Sequence, residues 1–183
     1  MALLKIARMG HPVLRRRAQE VEDFGSPELH RLVSDMIETM EDASGVGLAA
    51  PQIHVSRRVI VFRVPPERME EGETEAPRST VALVNPVMDP IGDEVVFGLE
   101  GCLSIPGLRG FVPRYQRIRY RGFTPDGRPV ECEASGFHAR VVQHELDHLD
   151  GVLYLDRMTD MADLAFESEL HHLLRSKGGE ENS

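Results

Sequence analysis

Residues 137–151 read Phe137-His-Ala-Arg-Val-Val-Gln-His-Glu-Leu-Asp-His-Leu-Asp-Gly151, and the rest of the fold is organised around this stretch. His144 and His148 are four residues apart, and Glu145 directly follows the first of them. Because positions i and i+4 lie on one face of an α-helix, both imidazoles can bind a single metal ion. Apolar residues on both sides of this helix predict that it is buried. Two buried histidines and a glutamate need partners, which favours a metal site over two ordinary core histidines.

The composition is typical of a globular protein with one domain, here residues 1–183. Of the 183 residues, 41% are hydrophobic and 28% are charged, as in ordinary globular proteins. A chain of this length can bury one ample core. The formal net charge of −9 argues against general binding to nucleic acid or to anionic membranes, since both select basic surfaces. There is no apolar run of the roughly 18 residues that a membrane span requires. With only Cys102 and Cys132 and no secretory signal, we expect a cytoplasmic setting without a structural disulfide.

Periodicity and turn residues predict helices on both sides of a set of strands. Ser26 and Pro27 mark the start of a helix that ends at Gly45. Gly151 is the predicted C-cap of the motif helix, a last helix is predicted over about 159–174, and 175–183 should form a frayed tail. The predicted strands are residues 57–64, 81–84, 94–97, 115–121 and 128–134, of which the last two form a hairpin.

Three further segments have distinctive compositions. Gly45-Val-Gly-Leu-Ala-Ala-Pro-Gln52 is too rich in glycine and small residues for a regular element, and its glycines allow a ligand's backbone to approach closely. Residues 65–80 are rich in Pro, Glu and Gly and predict a surface excursion that reshapes the edge of a cleft. Glu100-Gly-Cys-Leu-Ser104 precedes a predicted turn at Ile105-Pro106.

A catalytic metal needs a third protein ligand, and the residues leave two kinds of candidate. A thiolate is a good soft ligand for a divalent cation, so Cys102 is one candidate. A downstream carboxylate would instead give the site of a metallopeptidase, and the candidates are Asp156, Asp160, Glu167 and Glu169. Spacing alone does not choose between them. A closed structural site in a non-catalytic binding module would need a fourth ligand, for which the sequence offers no convincing residue.

Three motifs, at residues 45–52, 100–104 and 143–151, together resemble the signature of the peptide deformylases. They match in order, in spacing and in nearly every letter, and the resemblance extends over about residues 5–158. It implies an α+β fold in which antiparallel strands wrap around the central metal-binding helix, with an N-terminal helix and a C-terminal helix. It also implies hydrolytic removal of the formyl group from N-formylmethionine at the amino terminus of newly made polypeptides, with release of formate.

The resemblance also implies the parts of an active site. One divalent ion, Fe2+ in the cell with Zn2+, Ni2+ or Co2+ able to replace it, would be bound by Cys102, His144 and His148. The ion would lower the pKa of a bound water, and Glu145 would act as general base and then as general acid. The side-chain amide of Gln52 and the backbone N–H of Leu103 would stabilise the oxyanion.

The substrate would be an N-formylmethionyl nascent peptide in an extended pose. Val46, Phe137 and Val141 are candidates for an apolar methionine slot, and a Glu100–Arg114 ion pair is expected behind Cys102. The full set of candidate substrate-binding residues is Gly45, Val46, Gly47, Ile105, Gly107, Arg109, Phe137 and Val141. We expect a monomer that works close to the ribosome, although the acidic end at 177–183 does not favour docking through a basic C-terminal helix.

Overall fold

The computed structural model describes residues 2–69, 77 and 79–180, in which two antiparallel sheets surround one buried helix. The helices are α1 (Pro27–Asp42), α2 (Gly136–Leu149), α3 (Tyr154–Arg157) and α4 (Leu170–Glu180). The strands are β1 (Gly47–Ala49), β2 (Val59–Phe62), β3 (Val81–Pro90), β4 (Val95–Cys102), β5 (Ile105–Tyr115), β6 (Arg117–Phe123), β7 (Pro129–Ser135) and β8 (Leu164–Phe166). One sheet has the order β1-β2-β3-β6-β7 and the other β4-β5-β8. The predicted α+β class, with antiparallel strands around the motif helix, is confirmed.

Strand β2 is buried on both faces because the larger sheet lies between two helices. Val59 and Val61 belong to the core cluster that includes α1, whereas Ile60 and Phe62 belong to the cluster that includes α2. All four side chains are fully buried. Burial of each such side chain stabilises the fold by about 1.5–3 kcal/mol. The motif helix α2 is therefore held in the interior of the molecule, as its sequence predicts.

Helix α1 begins as predicted. The Ser26 hydroxyl accepts a hydrogen bond from the backbone N–H of Leu29 at 3.2 Å, and Pro27 is the first helical residue. The helix ends at Asp42, three residues before Gly45. Helix α2 ends at Leu149, so Asp150 is its C-cap and Gly151 lies one residue further on, not at the cap itself. None of the helices formed by the described residues has both the length and the apolar character needed to cross a bilayer.

The predicted strands are present, but two segments predicted to be irregular are regular. Within residues 45–52, β1 pairs with β2, and a 3-10 turn (Ala50–Ile53) follows. The turn predicted at Ile105-Pro106 is wrong, because β5 begins there and pairs with β4 along most of its length. Local residue preferences argued for turns at these Gly- and Pro-containing positions, and the tertiary pairing of strands overrides them.

The single helix predicted over 159–174 is also wrong. A 3-10 turn (Met161–Asp163) is followed by β8, a second 3-10 turn (Glu167–Glu169) and α4. Strand β8 pairs with β5 in the register Arg109↔Ala165, so an available sheet edge outweighs the helical spacing of the apolar residues. The predicted frayed tail is wrong for residues 175–180, because α4 continues to Glu180. Residues 181–183 lie outside the described residues. So do 70–76 and 78, which are half of the predicted 65–80 excursion.

A buried histidine on α2, His138, makes the stability of the fold depend on pH. His138 is fully buried, and its Nε2 lies 3.3 Å from the hydroxyl of Tyr120, while its Nδ1 has no partner. Burial lowers the pKa of His138 to about 4. As the pH falls from about 6.5 towards 4, the unfolded chain takes up a proton that the folded protein does not, so stability is lost in that window.

We therefore expect the stability difference between the wild type and His138→Phe to change with pH. The phenylalanine ring would keep the aromatic contacts with Phe62 and Tyr120. Between pH 7.5 and pH 5 the wild type should lose about 2 kcal/mol more than the variant, from linkage at this single site. Urea unfolding of both proteins at the two pH values measures this difference. Parallel stability profiles for the two proteins would contradict it.

Candidate metal centre and cleft

Two elements far apart in the sequence bring three metal-ligating side chains together. Helix α2 presents His144 and His148, and the end of β4 presents Cys102. The Cys102 sulfur lies 3.2 Å from Nε2 of His148, and one ligand atom from each residue lies within 4.8 Å of the other two. Among the described residues, this is the group of three or more His, Cys, Asp or Glu side chains that could bind one ion. The spacing suits a single cation with an open position.

The β4–β5 hairpin places Cys102 at this point. Cys102 pairs with Ile105, so the turn consists of Leu103 and Ser104. The strand register shifts between Glu100 and Cys102, and the backbone N–H of Ser104 points at the Cys102 sulfur at 3.4 Å. Burial would raise the pKa of the Cys102 thiol, but the imidazoles of His148 and His144 outweigh it and lower the pKa well below its usual value. The sulfur is therefore suited to bind a cation as a thiolate.

A buried carboxylate orients the first histidine. Glu100 Oε2 lies 2.8 Å from Nδ1 of His144, and Arg114 binds both carboxylate oxygens at 2.9 and 3.0 Å. The predicted Glu100–Arg114 ion pair is thus confirmed. Burial would raise the pKa of Glu100, but the bonds from His144 and Arg114 lower it well below its usual value. Because an ionised carboxylate only accepts, Nδ1 of His144 donates, and Nε2 is free to bind a metal.

The carboxylate of Glu145 lies in the cleft wall, and one of its two oxygens has no hydrogen-bond partner. Its Oε2 is buried and makes no hydrogen bond, and burial raises the pKa of Glu145 to about 7. Strand β1 approaches so closely that a β-carbon at Gly47 would lie 2.1 Å from Oε1. Only a glycine at position 47 leaves room for this carboxylate. Its position and its unpartnered oxygen fit a group that binds and moves a proton.

The side-chain amide of Gln52 is buried and fixed in orientation. Its Oε1 accepts a hydrogen bond from the backbone N–H of Ala49 at 2.8 Å, and its Nε2 donates to the hydroxyl of Ser104 at 3.1 Å. Nε2 also lies 3.5 Å from the Cys102 sulfur. The amide nitrogen therefore bonds Ser104 and also faces the sulfur of the metal centre. Leu103 follows Cys102 directly and lines the same cleft.

A cleft of about 320 Å³ opens beside these groups. All eight candidate substrate-binding residues line it, namely Gly45, Val46, Gly47, Ile105, Gly107, Arg109, Phe137 and Val141. The lining also includes Arg68, Leu99 and Arg140, for which the sequence predicted no role, and Glu167, which was a candidate only as a metal ligand. Arg109 is not free in solvent, since its Nη2 donates to Glu167 at 3.0 Å across the rim. Arg140 lies on α2, and the helical pattern of the sequence does not show which strand its side chain faces.

The downstream carboxylates that could have completed a metallopeptidase site have other partners. Asp156 pairs with Arg15 and Glu167 with Arg109. Asp160 accepts a hydrogen bond from the backbone N–H of Ala162. None of them, nor Glu169, joins the two histidines in a candidate metal group among the described residues. The geometry favours the cysteine.

Comparisons with known proteins agree with this arrangement. A family model described as polypeptide deformylase matches residues 3–163. Peptide deformylase 1 of Xanthomonas campestris pv. campestris is 51% identical over 168 residues, which are 92% of this chain and 97% of that protein. The crystal structure of peptide deformylase from Thermotoga maritima has a TM-score of 0.78 at 39% identity, covering 87% of this chain and 100% of that chain. The Met-Ala-Ser-bound class I type b peptide deformylase from Acinetobacter baumannii has a TM-score of 0.77 at 38% identity, covering 86% of this chain and 99% of that chain. The chain therefore belongs to the peptide deformylase family.

Proposed function

We propose that this cleft is the site at which the enzyme removes the formyl group from N-formylmethionine at the amino terminus of new polypeptides, releasing formate. One observation carries the proposal. Cys102, His144 and His148 converge beside the cleft, and the carboxylate of Glu145 lies in its wall. Because two of these residues are consecutive on α2, a metal at the three ligands would lie next to the proton acceptor.

The family is metal-dependent, and the donor set fits a divalent transition metal. Sulfur and imidazole donors suit Fe2+, Zn2+, Ni2+ and Co2+, and we propose Fe2+ as the ion used in the cell. Cys102, His144 and His148 would bind it, with Glu100 as the partner that fixes the ring of His144. When bound, such an ion supplies Lewis acidity and lowers the pKa of a coordinated water.

Glu145 is proposed to move the proton. Its buried, unpartnered Oε2 can accept the proton of the attacking water and later donate it to the amine that leaves. A pKa near 7 suits both steps, because the group then gains and loses a proton at little cost.

Gln52 and Leu103 are proposed to stabilise the oxyanion that forms when water attacks the formyl carbon. The bonds from Ala49 and to Ser104 keep the Gln52 amide in one orientation, so it does not have to reorganise during the reaction. The backbone N–H of Leu103 would be the second donor. Losing one such donor typically lowers turnover by about 10²–10³-fold.

The lining of the cleft suits an extended peptide that begins with methionine. Val46, Phe137 and Val141 offer an apolar slot, and the backbones of residues 45–47 and 105–109 can pair with a strand-like substrate. The Acinetobacter baumannii relative was solved with Met-Ala-Ser bound, and we infer the same class of peptide here. Because the formyl carbon carries only hydrogen, a tight site would admit it and exclude bulkier acyl groups.

We further propose that residues 1–183 form one catalytic domain that acts as a monomer in the cytoplasm. Its substrates are formylated nascent peptides, which it would meet close to the ribosome. Residues 177–183 carry acidic side chains, so a basic C-terminal helix is not the proposed means of approach.

Formate release from formyl-Met-Ala-Ser tests the proposal directly. The protein would be stripped with a chelator, then reloaded with Fe2+ under exclusion of oxygen. We expect formate only from the reloaded protein. We also expect no acetate from acetyl-Met-Ala-Ser and no free methionine from unformylated Met-Ala-Ser. An absence of formate from the iron-loaded protein would contradict the proposed site.

A further inference from the structure

The side chain of Arg140 connects helix α2 to both strands of the β4–β5 hairpin. Its Nη2 donates to the backbone carbonyl of Val96 on β4 at 2.7 Å. Its Nη1 donates to the backbone carbonyl of Val112 on β5 at 2.8 Å and to Oε1 of Glu100 at 2.9 Å. The guanidinium lines the cleft, and the side chain is 12% exposed. It therefore lies one helical turn before His144 and touches the carboxylate that orients this ligand.

Arg140 completes the set of bonds around the Glu100 carboxylate. Arg114 binds both oxygens from one side, Arg140 binds only Oε1, and His144 occupies Oε2. Charge-assisted bonds in a buried site are strong and directional. With three cationic or N–H partners in fixed directions, the carboxylate plane cannot rotate, and Oε2 stays directed at Nδ1 of His144.

Arg140 is not needed to neutralise the buried charge. Two buried carboxylates are already balanced by two other arginines, in a chain of ion pairs that runs Glu100, Arg114, Asp147, Arg157. In it, Arg114 bonds Asp147 at 2.6 Å, and Arg157 bonds the same carboxylate at 2.7 Å. A second arginine on Glu100 adds orientation, not compensation of charge. The bonds of Arg140 connect β4, which ends at Cys102, to α2, which carries the two histidines.

Gly98 is the residue that makes room for this side chain. A β-carbon at position 98 would lie 2.6 Å from Cζ of Arg140 and 2.7 Å from its Nη2. Such distances require the guanidinium to move, and the carbonyl of Gly98 itself lies 3.4 Å from Nη1. Gly98 and Arg140 are thus sterically matched.

We propose that Arg140, seated against Gly98, is a positioning residue that holds Glu100 and thereby sets the orientation of His144 towards the metal. The inference rests on the metal centre proposed above. It also gives Gly98 an indirect role in orienting His144, although position 98 contacts no proposed ligand. Loss of an outer partner of this kind typically lowers metal affinity or activity by about 10–100-fold.

The test is a double-mutant cycle on metal affinity. Co2+ binding would be measured by chelator competition, and the thiolate-to-cobalt absorption recorded, for the wild type, Arg140→Met, Gly98→Ala and the double variant. We expect Arg140→Met to weaken Co2+ binding by about 10–100-fold. Gly98→Ala should weaken it in the same direction. The double variant should be no worse than Arg140→Met alone, since a methyl group at position 98 does no harm once the guanidinium is gone.

Controls separate positioning from a purely structural clamp. Arg119→Met removes an exposed arginine that bonds Glu133 on the outer face of the larger sheet, and it should leave Co2+ affinity unchanged. In Arg140→Met we expect kcat to fall while KM stays close to the wild-type value. A lower Tm with unchanged Co2+ affinity would overturn the proposal, and so would effects of the two substitutions that multiply in the double variant. If Arg140→Met does not fold, the Co2+ affinity of Gly98→Ala is compared with that of the wild type instead.

Two further proteins in the same titration distinguish the inference from the proposed function. Wild type that binds no Co2+, or Cys102→Ala that binds it as tightly as the wild type, would remove the metal centre itself. If both behave as expected and Arg140→Met binds Co2+ like the wild type, only the role of Arg140 is lost.

Discussion

Cys102→Ala should bind its metal at least about 100-fold more weakly than the wild type, because loss of a direct ligand exceeds the usual cost of losing an outer partner. Deformylation should fall to the background level at ordinary metal concentrations. The sulfur lies 3.2 Å from His148 Nε2, and no carboxylate of the described residues joins the two histidines in a candidate metal group. Metal content after gel filtration and formate release from formyl-Met-Ala-Ser measure the two effects.

Cys132→Ala is the matched control for this variant. Cys132 lies on β7, and its thiol is directed at the backbone carbonyl of Glu133, so its loss should change neither metal content nor turnover. The same experiment decides whether Cys102 or a downstream carboxylate is the third ligand beside the two histidines. A Cys102→Ala protein that retains one ion per chain and normal turnover would exclude the cysteine and reopen the search for a third ligand.

Glu145→Gln should retain the metal and lose most of its turnover. The amide has the size of the carboxylate but cannot accept the proton of the attacking water, and general-base catalysis typically contributes about 10²–10⁴-fold. Folding should not suffer. Burial penalises the ionised form of Glu145, which is why its pKa is raised to about 7, and a neutral amide avoids that cost. We therefore expect a fall in kcat together with a Tm no lower than that of the wild type.

An exposed glutamate provides the comparison for Glu145→Gln. Glu131→Gln, on the solvent side of β7, should keep full turnover, metal content and stability. If Glu145→Gln turned over formyl-Met-Ala-Ser at a near-normal rate, Glu145 would have no part in proton transfer. If it lost both metal and stability, its role would be structural.

The sequence predicted those parts of the site that depend on local spacing. The i, i+4 relation of His144 and His148 requires only that the segment be helical and buried, and the apolar residues on both sides of α2 ensure this. Cys102 was different, because spacing left it level with four downstream carboxylates, and the resemblance to a family favoured it. The contact between Cys102 and His148 spans 46 positions and depends on how the β4–β5 hairpin folds onto α2. No local sequence pattern predicts the contact between Cys102 and His148.

Non-local pairing also explains the errors in the predicted fold. Strand β5 carries Pro106, Gly107, Gly110 and Pro113, which are residues typical of turns, yet it pairs with β4 on one side and β8 on the other. Leu164 and Ala165 fit the helical spacing of the apolar residues over 159–174, but residues 164–166 pair with the edge of β5. In both cases hydrogen bonds supplied by a distant segment outweigh local preference. The contact between Gly98 and Arg140 is likewise not predictable from local sequence, since it joins residues 42 positions apart.

Strand β8 has a consequence for the integrity of the protein. It begins at Leu164, immediately after the last residue of the matched family region, and it pairs with Leu108, Arg109 and Gly110 of β5. A chain truncated at residue 163 would keep every proposed ligand and catalytic group. It would also bare a row of backbone donors and acceptors beside the cleft, and such an open edge is a template for self-association between molecules. With residues 164–166 in place, the edge of the hairpin beside the cleft is paired, and the edge that β8 itself presents is only three residues long.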